Sequence, residues 1–121
     1  MIAIVDDDAA TGQSIERLLK SYGYESKSYT SAGAFLASGV VGDIKCLILD
    51  VWMPGLTGIE LQDCLLKADV EIPVIYITGY INELIIENAR RTGALEILEK
   101  PFDDEILIAR VEMAIRLANN N

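Results

Sequence analysis

The chain has 121 residues, a mass of 13.3 kDa and a formal net charge of −9, with 19 acidic side chains against 10 basic ones. This length suits one domain with its own core, and so acidic a domain lacks the basic clusters that binding to nucleic acid requires. Histidine is absent, which excludes the commonest general base and the usual zinc ligand and leaves carboxylates, hydroxyls, lysine and a hard metal ion for chemistry.

Short apolar runs alternate with segments of helical periodicity along the whole chain. The apolar runs predict five strands, at residues 1–5, 24–29, 44–49, 72–77 and 94–98. The periodic segments predict five helices, at residues 9–22, 32–38, 57–67, 81–92 and 102–118, and leave 119–121 as a tail or the start of a linker. Continuous apolar strands between helices indicate a parallel sheet covered on both faces. We therefore predict one doubly wound, flavodoxin-like α/β domain over residues 1–118, with strand order 2-1-3-4-5.

The sequence shows no signal for export or for insertion into a membrane. No apolar run approaches the roughly 20 residues that a membrane-spanning helix needs, and Met1 leads directly into the first strand without a basic leader. We therefore expect a cytoplasmic protein. Its two cysteines, Cys46 and Cys64, lie in a predicted strand and a predicted helix, and we expect both to be buried thiols without a redox or metal role.

Charged and hydroxyl side chains follow four of the five predicted strands. Asp6 and Asp7 follow the first strand and Asp50 the third, while Thr78 follows the fourth and Lys100 the fifth. Ligands of such sheets bind beyond the carboxyl ends of the strands, and the order 2-1-3-4-5 places Asp6 and Asp7 opposite Asp50. Taken singly, each of these residues is explained as a turn residue, a helix cap or a surface residue. Their joint placement at one edge of the sheet indicates a site.

Three carboxylates in one cleft repel each other unless a positive charge lies among them. A hard divalent cation, Mg²⁺ or Mn²⁺, suits carboxylate, carbonyl and water ligands, and Mg²⁺ commonly shares its coordination shell with a phosphate. This set of metal ligands predicts phosphoryl chemistry. Asp50 is then the nucleophile that forms an acyl phosphate, and Lys100 and Thr78 neutralise and hydrogen-bond the phosphoryl oxygens.

A resemblance to the receiver domain of two-component response regulators covers essentially the whole chain. It rests on the residues of four segments and on the spacing between them: IAIVDDD, CLILDVWMPGLTGIEL, IPVIYITGY and GALEILEKPF. The resemblance implies that Asp50 is the phosphoacceptor for a sensor histidine kinase or a phosphotransfer protein. It implies direct metal contact by Asp7, contact largely through water by Asp6, and a further ligand in the backbone carbonyl of Trp52.

The same resemblance implies how such a site works. Thr78 is expected to move toward the phosphoryl group, Lys100 to pair with that group, and the Lys100–Pro101 bond to be cis. Asp8 is expected to be a bystander that caps the first helix. The chain is then not an enzyme in the ordinary sense, because it catalyses its own phosphorylation and dephosphorylation without turning over an external substrate.

The segments FLASG and GALEILEKPF are similar to receivers joined to a helix-turn-helix domain of the LuxR/FixJ type. This implies control of transcription through a DNA-binding domain that lies outside these 121 residues. A stand-alone receiver and a phosphorylation-independent interaction module are the alternatives. The apolar helices at 81–92 and 102–118 are expected to form the output surface and to support a homodimer on phosphorylation. The domain itself is expected to bind neither nucleic acid nor a membrane.

Ile97 departs from the family pattern, which usually has Tyr or Phe three residues before the lysine. That aromatic side chain changes rotamer on activation in the family, whereas a β-branched residue has few χ1 choices. Signal coupling is therefore expected either to run through Thr78 and backbone shifts, or through Tyr80, or to be weak.

Two other classes of function fit less well. A haloacid-dehalogenase phosphatase needs a second aspartate two residues after its nucleophile, where this chain has Trp52. A flavodoxin-like cofactor binder needs a hydroxyl-rich loop after the first strand, where the acids at 6–8 repel a phosphate.

Overall fold

The computed structural model describes residues 1–53, 55 and 57–119. Its sheet contains five strands: β1 (Ile2–Val5), β2 (Ser26–Tyr29), β3 (Cys46–Asp50), β4 (Val74–Thr78) and β5 (Glu96–Glu99). Neighbouring strands pair in parallel in the order 2-1-3-4-5. The predicted doubly wound α/β fold is therefore confirmed, with the carboxyl ends of β1 and β3 side by side.

Helices cover both faces of the sheet. They are α1 (Ala9–Ser21), α2 (Ala32–Ala37), α3 (Gly58–Lys67), α4 (Glu83–Thr92) and α5 (Asp104–Asn119). A short 3₁₀ turn that the sequence did not predict, Val41–Asp43, precedes β3. Asn119 belongs to α5, so the predicted boundary after residue 118 falls inside the helix, and Asn120 and Asn121 of the predicted tail lie outside the described residues.

Side-chain caps determine where four of the helices begin. The capping residues are Asp8 for α1, Ser31 for α2, Thr57 for α3 and Asn82 for α4. Each side chain accepts a hydrogen bond from an amide that has no partner within its helix. The Asn82 cap explains why α4 begins at residue 83 and not at residue 81 as predicted. Gly93, with a positive φ of 76°, ends α4.

Alternating side chains of the strands fill two apolar layers. The first layer lies between the sheet and α2, α3 and α4, and it contains Leu47 and Leu49 of β3. The second layer lies between the sheet and α1 and α5, and it contains Cys46 and Ile48 of the same strand. None of the helices in the described part of the chain combines the length and the apolar composition of a membrane-spanning segment.

The two cysteines differ in their environment, and both are free thiols. Cys46 is buried as predicted, and burial raises the pKa of its thiol to about 12. The prediction of a buried Cys64 is wrong, because this side chain is exposed. The inward positions of α3 are occupied by Leu61 and Leu65, and helical geometry turns residue 64 away from them.

Candidate functional site

Three carboxylates meet at the carboxyl edge of the sheet. Asp6 and Asp7 directly follow β1, and Asp50 is the last residue of β3. One ligand oxygen from each side chain lies within 4.8 Å of the other two. Asp6 is 1% exposed and Asp50 4% exposed, whereas Asp7 is exposed to solvent. The structure thus brings together the three acids singled out from the sequence, with Asp7 on the open side. This group is called the acid cluster below.

Local backbone hydrogen bonds orient the two buried acids. The amide of Asp8 donates to Asp6 Oδ1 at 2.9 Å, and the amide of Trp52 donates to Asp50 Oδ1 at 3.2 Å. In both cases the aspartate accepts from the residue two positions along, which is typical of this side chain at a turn. The Oδ2 atoms of Asp6 and Asp50 remain available to other partners.

Lys100 supplies the positive charge that faces these oxygens. Its Nζ lies 2.7 Å from Asp6 Oδ2 and 3.6 Å from Asp50 Oδ2. Burial opposes the charge of Lys100, but the hydrogen bond that Lys100 donates to Asp6 and the attraction of Asp50 outweigh it and raise the pKa of the lysine. Lys100 therefore stays charged at neutral pH, and among the described residues it is one cation beside three carboxylates.

The pKa of Asp50 reflects both its burial and the negative charge that Lys100 leaves unbalanced. Burial raises the pKa of Asp50 to about 6, and the charge of Asp6 acts in the same direction, against the lowering effects of Lys100 and the Trp52 amide. Repulsion of this kind is relieved by a further cation. The donor set consists of carboxylate oxygens, which suit Mg²⁺ or Mn²⁺ better than a soft metal. The residues present therefore fit the predicted ion.

Thr78 ends β4 and is fully buried. Its hydroxyl donates to the Tyr80 carbonyl at 2.9 Å and accepts from the Tyr80 amide at 3.2 Å. The hydroxyl is thus engaged by its own loop and not by the acids. The Lys100 amide donates to the Thr78 carbonyl at 2.7 Å, and the Lys100–Pro101 bond is cis as predicted.

Gly58, the first residue of α3, has a role that the sequence reasoning missed. Its amide donates to the Val51 carbonyl at 3.1 Å. A Cβ at this position would collide with the carbonyl oxygen of Asp50 and press against the Leu49 side chain. Only glycine lets α3 start this close to the acid cluster. The available signal was a glycine directly after the helix cap, where no left-handed turn requires one.

Three other residues singled out from the sequence surround the site. The side chain of Trp52 is 48% exposed beside Asp50, and that of Tyr80 is 64% exposed in the loop after β4. Ile97 of β5 is partly buried against the first apolar layer. None of these side chains carries a charge, so they shape access and packing without altering the charge balance.

Comparison with known proteins agrees with this architecture. The family model described as the response regulator receiver domain matches residues 2–112. Transcriptional regulatory protein FixJ of Azorhizobium caulinodans is 40% identical over 114 residues, which are 94% of this chain and 54% of that protein. Response regulator protein TmoT of Ectopseudomonas mendocina is 38% identical over 120 residues, 98% of this chain and 54% of that protein. The chain thus spans about half the length of these relatives.

Two solved structures of response regulators are also similar to this chain. The crystal structure of FixJ-N matches with a TM-score of 0.84 and 34% identity, covering 95% of this chain and 92% of that one. The response regulator StyR matches with a TM-score of 0.91 and 34% identity, covering 98% of this chain and 60% of that one.

Proposed function

Because this chain belongs to the response regulator receiver domain family, we propose that Asp50 is the residue on which it accepts a phosphoryl group. Receiver domains are regulators in two-component signalling, and the donor proposed here is a sensor histidine kinase or a phosphotransfer protein. The observation that carries the assignment is the buried Asp50 carboxylate, which lies beside Asp6, Asp7 and Lys100 at the carboxyl edge of the sheet.

Asp50 Oδ2 is the proposed nucleophile, since Oδ1 accepts from the Trp52 amide. Oδ2 attacks phosphorus, the bond from phosphorus to the donor's histidine nitrogen breaks, and an acyl phosphate forms on Asp50. Lys100, 3.6 Å from this oxygen, favours the ionised nucleophile and then balances the charge of the transferred group. No external substrate is turned over, so the domain acts as a regulator that promotes its own phosphorylation and dephosphorylation.

Asp6, Asp7 and Asp50, with the Trp52 carbonyl, would hold Mg²⁺ or Mn²⁺. When bound, this ion neutralises the carboxylates so that an anionic phosphoryl group can approach them. Asp6 Oδ2 already accepts from Lys100 at 2.7 Å, which supports contact largely through water for Asp6. Asp7, the exposed member of the acid cluster, is the better candidate for direct contact.

Phosphorylation is proposed to act on the output surface through Thr78. Recruitment of its hydroxyl by the phosphoryl group breaks the hydrogen bonds to Tyr80 and shifts the loop that leads into α4. Leu84 and Ile86 of α4 are 58% and 41% exposed, and we assign homodimer formation to this surface together with α5. Control of transcription, through a helix-turn-helix domain of the kind joined to LuxR/FixJ-type receivers, is the proposed outcome.

Labelling by a small phosphodonor in Mg²⁺ tests the assignment. Asp50→Asn is expected to abolish the label. Asp8→Asn is the matched control, because Asp8 only caps α1 through Ala10 and Thr11 and asparagine is an equally good cap. Full labelling of the Asp50→Asn protein would rule out Asp50 as the acceptor.

A further inference from the structure

A second group of polar side chains is buried inside the first apolar layer, away from the acid cluster. Tyr76 of β4 is fully buried, Gln62 of α3 is 4% exposed and Thr92, the last residue of α4, is 8% exposed. The Tyr76 hydroxyl donates to Gln62 Oε1 and lies 3.0 Å from Thr92 Oγ1. Gln62 Nε2 donates to the Thr92 carbonyl at 3.3 Å. These three residues, the Tyr76 cluster, connect α3, β4 and the end of α4.

The Tyr76 cluster is a strong connection because all three of its side chains are buried and joined by hydrogen bonds. Burial raises the pKa of Tyr76, so the hydroxyl keeps its proton and remains a donor. Breaking the cluster would leave buried polar groups unpaired, which is far less favourable than exposing them. An ion pair between Arg91 and Asp63, at 2.9 Å, joins the same two helices on the surface, where such pairs contribute little.

The opposite end of α4 is held in a different way, by apolar packing of Ile85 and by the Asn82 cap. Among the described residues 83–86, Ile85 alone is buried, while Leu84 and Ile86 project into solvent. The loop before α4 is held through the Thr78 hydroxyl, whose partners are the backbone atoms of Tyr80. The carboxyl end of α4 is therefore fixed by buried, directional hydrogen bonds, whereas the amino end is held by one buried apolar side chain, by its Asn82 cap and by the loop before it.

A single strand controls both ends of the helix. Tyr76 and Thr78 are two residues apart in β4, so their side chains lie on the same face of the sheet. Tyr76 holds the carboxyl end of α4, and Thr78 holds the loop that leads to its amino end.

We propose that the Tyr76 cluster is the fixed pivot of α4, about which the amino-terminal half of the helix moves when the Thr78 loop rearranges. This inference rests on the proposed function, because phosphorylation of Asp50 is the event that rearranges the Thr78 loop. It describes how a chain with Ile97 in place of an aromatic switch residue redirects Leu84 and Ile86, the exposed apolar side chains of α4. The contact of α4 with α3 stays unchanged in both states.

Amide hydrogen exchange of the resting protein tests the pivot without any phosphodonor. In Tyr76→Phe, the amides of residues 90–92 are expected to exchange roughly tenfold faster, which corresponds to the loss of one buried hydrogen bond. Amides of residues 86–88, in the same helix, serve as the internal reference. Asp63→Asn is the control variant, and it should leave residues 90–92 unchanged. Equal acceleration of all these amides would show a general loss of stability and would overturn the pivot.

Amide chemical shifts with and without beryllofluoride, a phosphoryl mimic, and Mg²⁺ test the movement. In the wild type, larger changes are expected at residues 86–88 than at residues 90–92. In Tyr76→Phe, the changes should spread to residues 90–92. Gln62→Met, which removes the amide but keeps an apolar chain of similar length, provides a second variant should Tyr76→Phe fold poorly.

The outcomes separate the pivot from the proposed function. Equal shift changes along the whole of α4 in the wild type would overturn the pivot. A wild-type protein in which the amides around Asp50 do not respond to beryllofluoride would contradict the proposed function. In that case the exchange rates of the resting protein still decide whether the Tyr76 cluster fixes the end of α4.

Discussion

The acid cluster and the Tyr76 cluster are both groups of polar side chains with buried members, but the first carries unbalanced charge and the second is neutral. Tyr76, Gln62 and Thr92 are neutral, and they pair with one another. In the part of the chain that the structure describes, Asp6, Asp7 and Asp50 gather beside one lysine, Lys100. A closed neutral group rigidifies the structure around it, whereas surplus charge at an open edge requires a ligand. This difference supports the proposals that the acid cluster is a binding site and that the Tyr76 cluster is a mechanical connection.

The largest expected effect comes from Gly58→Ala, which disturbs the backbone under the acid cluster. The new methyl group collides with the Asp50 carbonyl, and we expect a loss of about 3 kcal/mol in the free energy of unfolding by urea. Gly33→Ala in α2 is the control, because a Cβ there meets nothing within 4 Å and alanine favours a helix. Equal stability of the two variants would mean that close approach at Gly58 is not required.

Lys100→Met removes the cation that the acid cluster possesses. Buried Asp6 then lacks its partner at 2.7 Å, and we expect a loss of about 2 kcal/mol without divalent ions, since Lys100 is partly exposed and the full cost of a buried pair does not apply. Addition of Mg²⁺ should recover part of this loss. A variant as stable as the wild type in EDTA would contradict the claim that Lys100 balances the charge of the buried carboxylates.

Asp50→Asn should stabilise the ion-free protein at pH 7 by about 1–2 kcal/mol, because it removes a charge that burial and Asp6 disfavour. The pKa of Asp50 rises from 3.8 to about 6 on folding. Its contribution to stability is therefore full below pH 3.8 and is lost as the pH rises through about 6. Urea unfolding in EDTA at pH 5 and pH 7 should show this loss in the wild type. The variant should lack it, and an identical pH dependence in both proteins would contradict the assignment.

Tyr76→Phe is expected to change the free energy of unfolding least, and its response to Mg²⁺ should differ most clearly from that of the acid-cluster variants. Loss of the hydroxyl leaves Gln62 Oε1 without its donor, whereas the Thr92 hydroxyl still donates to the Asn88 carbonyl, and we expect about 1 kcal/mol less stability. The difference from the wild type should be the same with and without Mg²⁺, because the Tyr76 cluster carries no charge. A loss that Mg²⁺ cancels would mean that the two clusters are not separate.

Much of the acid cluster could be predicted because strand ends are visible in the sequence. Apolar runs locate the end of each strand, and parallel pairing then brings Asp6, Asp7 and Asp50 to one edge. Gly58 and Tyr76 were missed, because their roles depend on which backbone or side chain lies opposite in another element. The Tyr76 cluster joins residues 62, 76 and 92, which no local pattern relates to one another.

The error at Cys64 has a similar cause. Composition favours a buried thiol, but the face of α3 that meets the core is set by Leu61 and Leu65. The start of α4 at residue 83 depends on the Asn82 side chain, a local cap that apolar periodicity alone does not locate. Charged residues and the ends of strands can therefore be predicted from the sequence more readily than the buried faces of helices and long-range polar contacts.

Unfolding of the wild type and of Asp7→Asn over a range of Mg²⁺ concentrations tests the central claim, that the acid cluster is a divalent-cation site. The wild type should gain about 1.4 kcal/mol of unfolding free energy at ten times the Kd for Mg²⁺. Asp7→Asn should need a severalfold higher concentration for the same gain, and Asp8→Asn should behave as the wild type. Stability of the wild type that does not change at millimolar Mg²⁺ would contradict the claim.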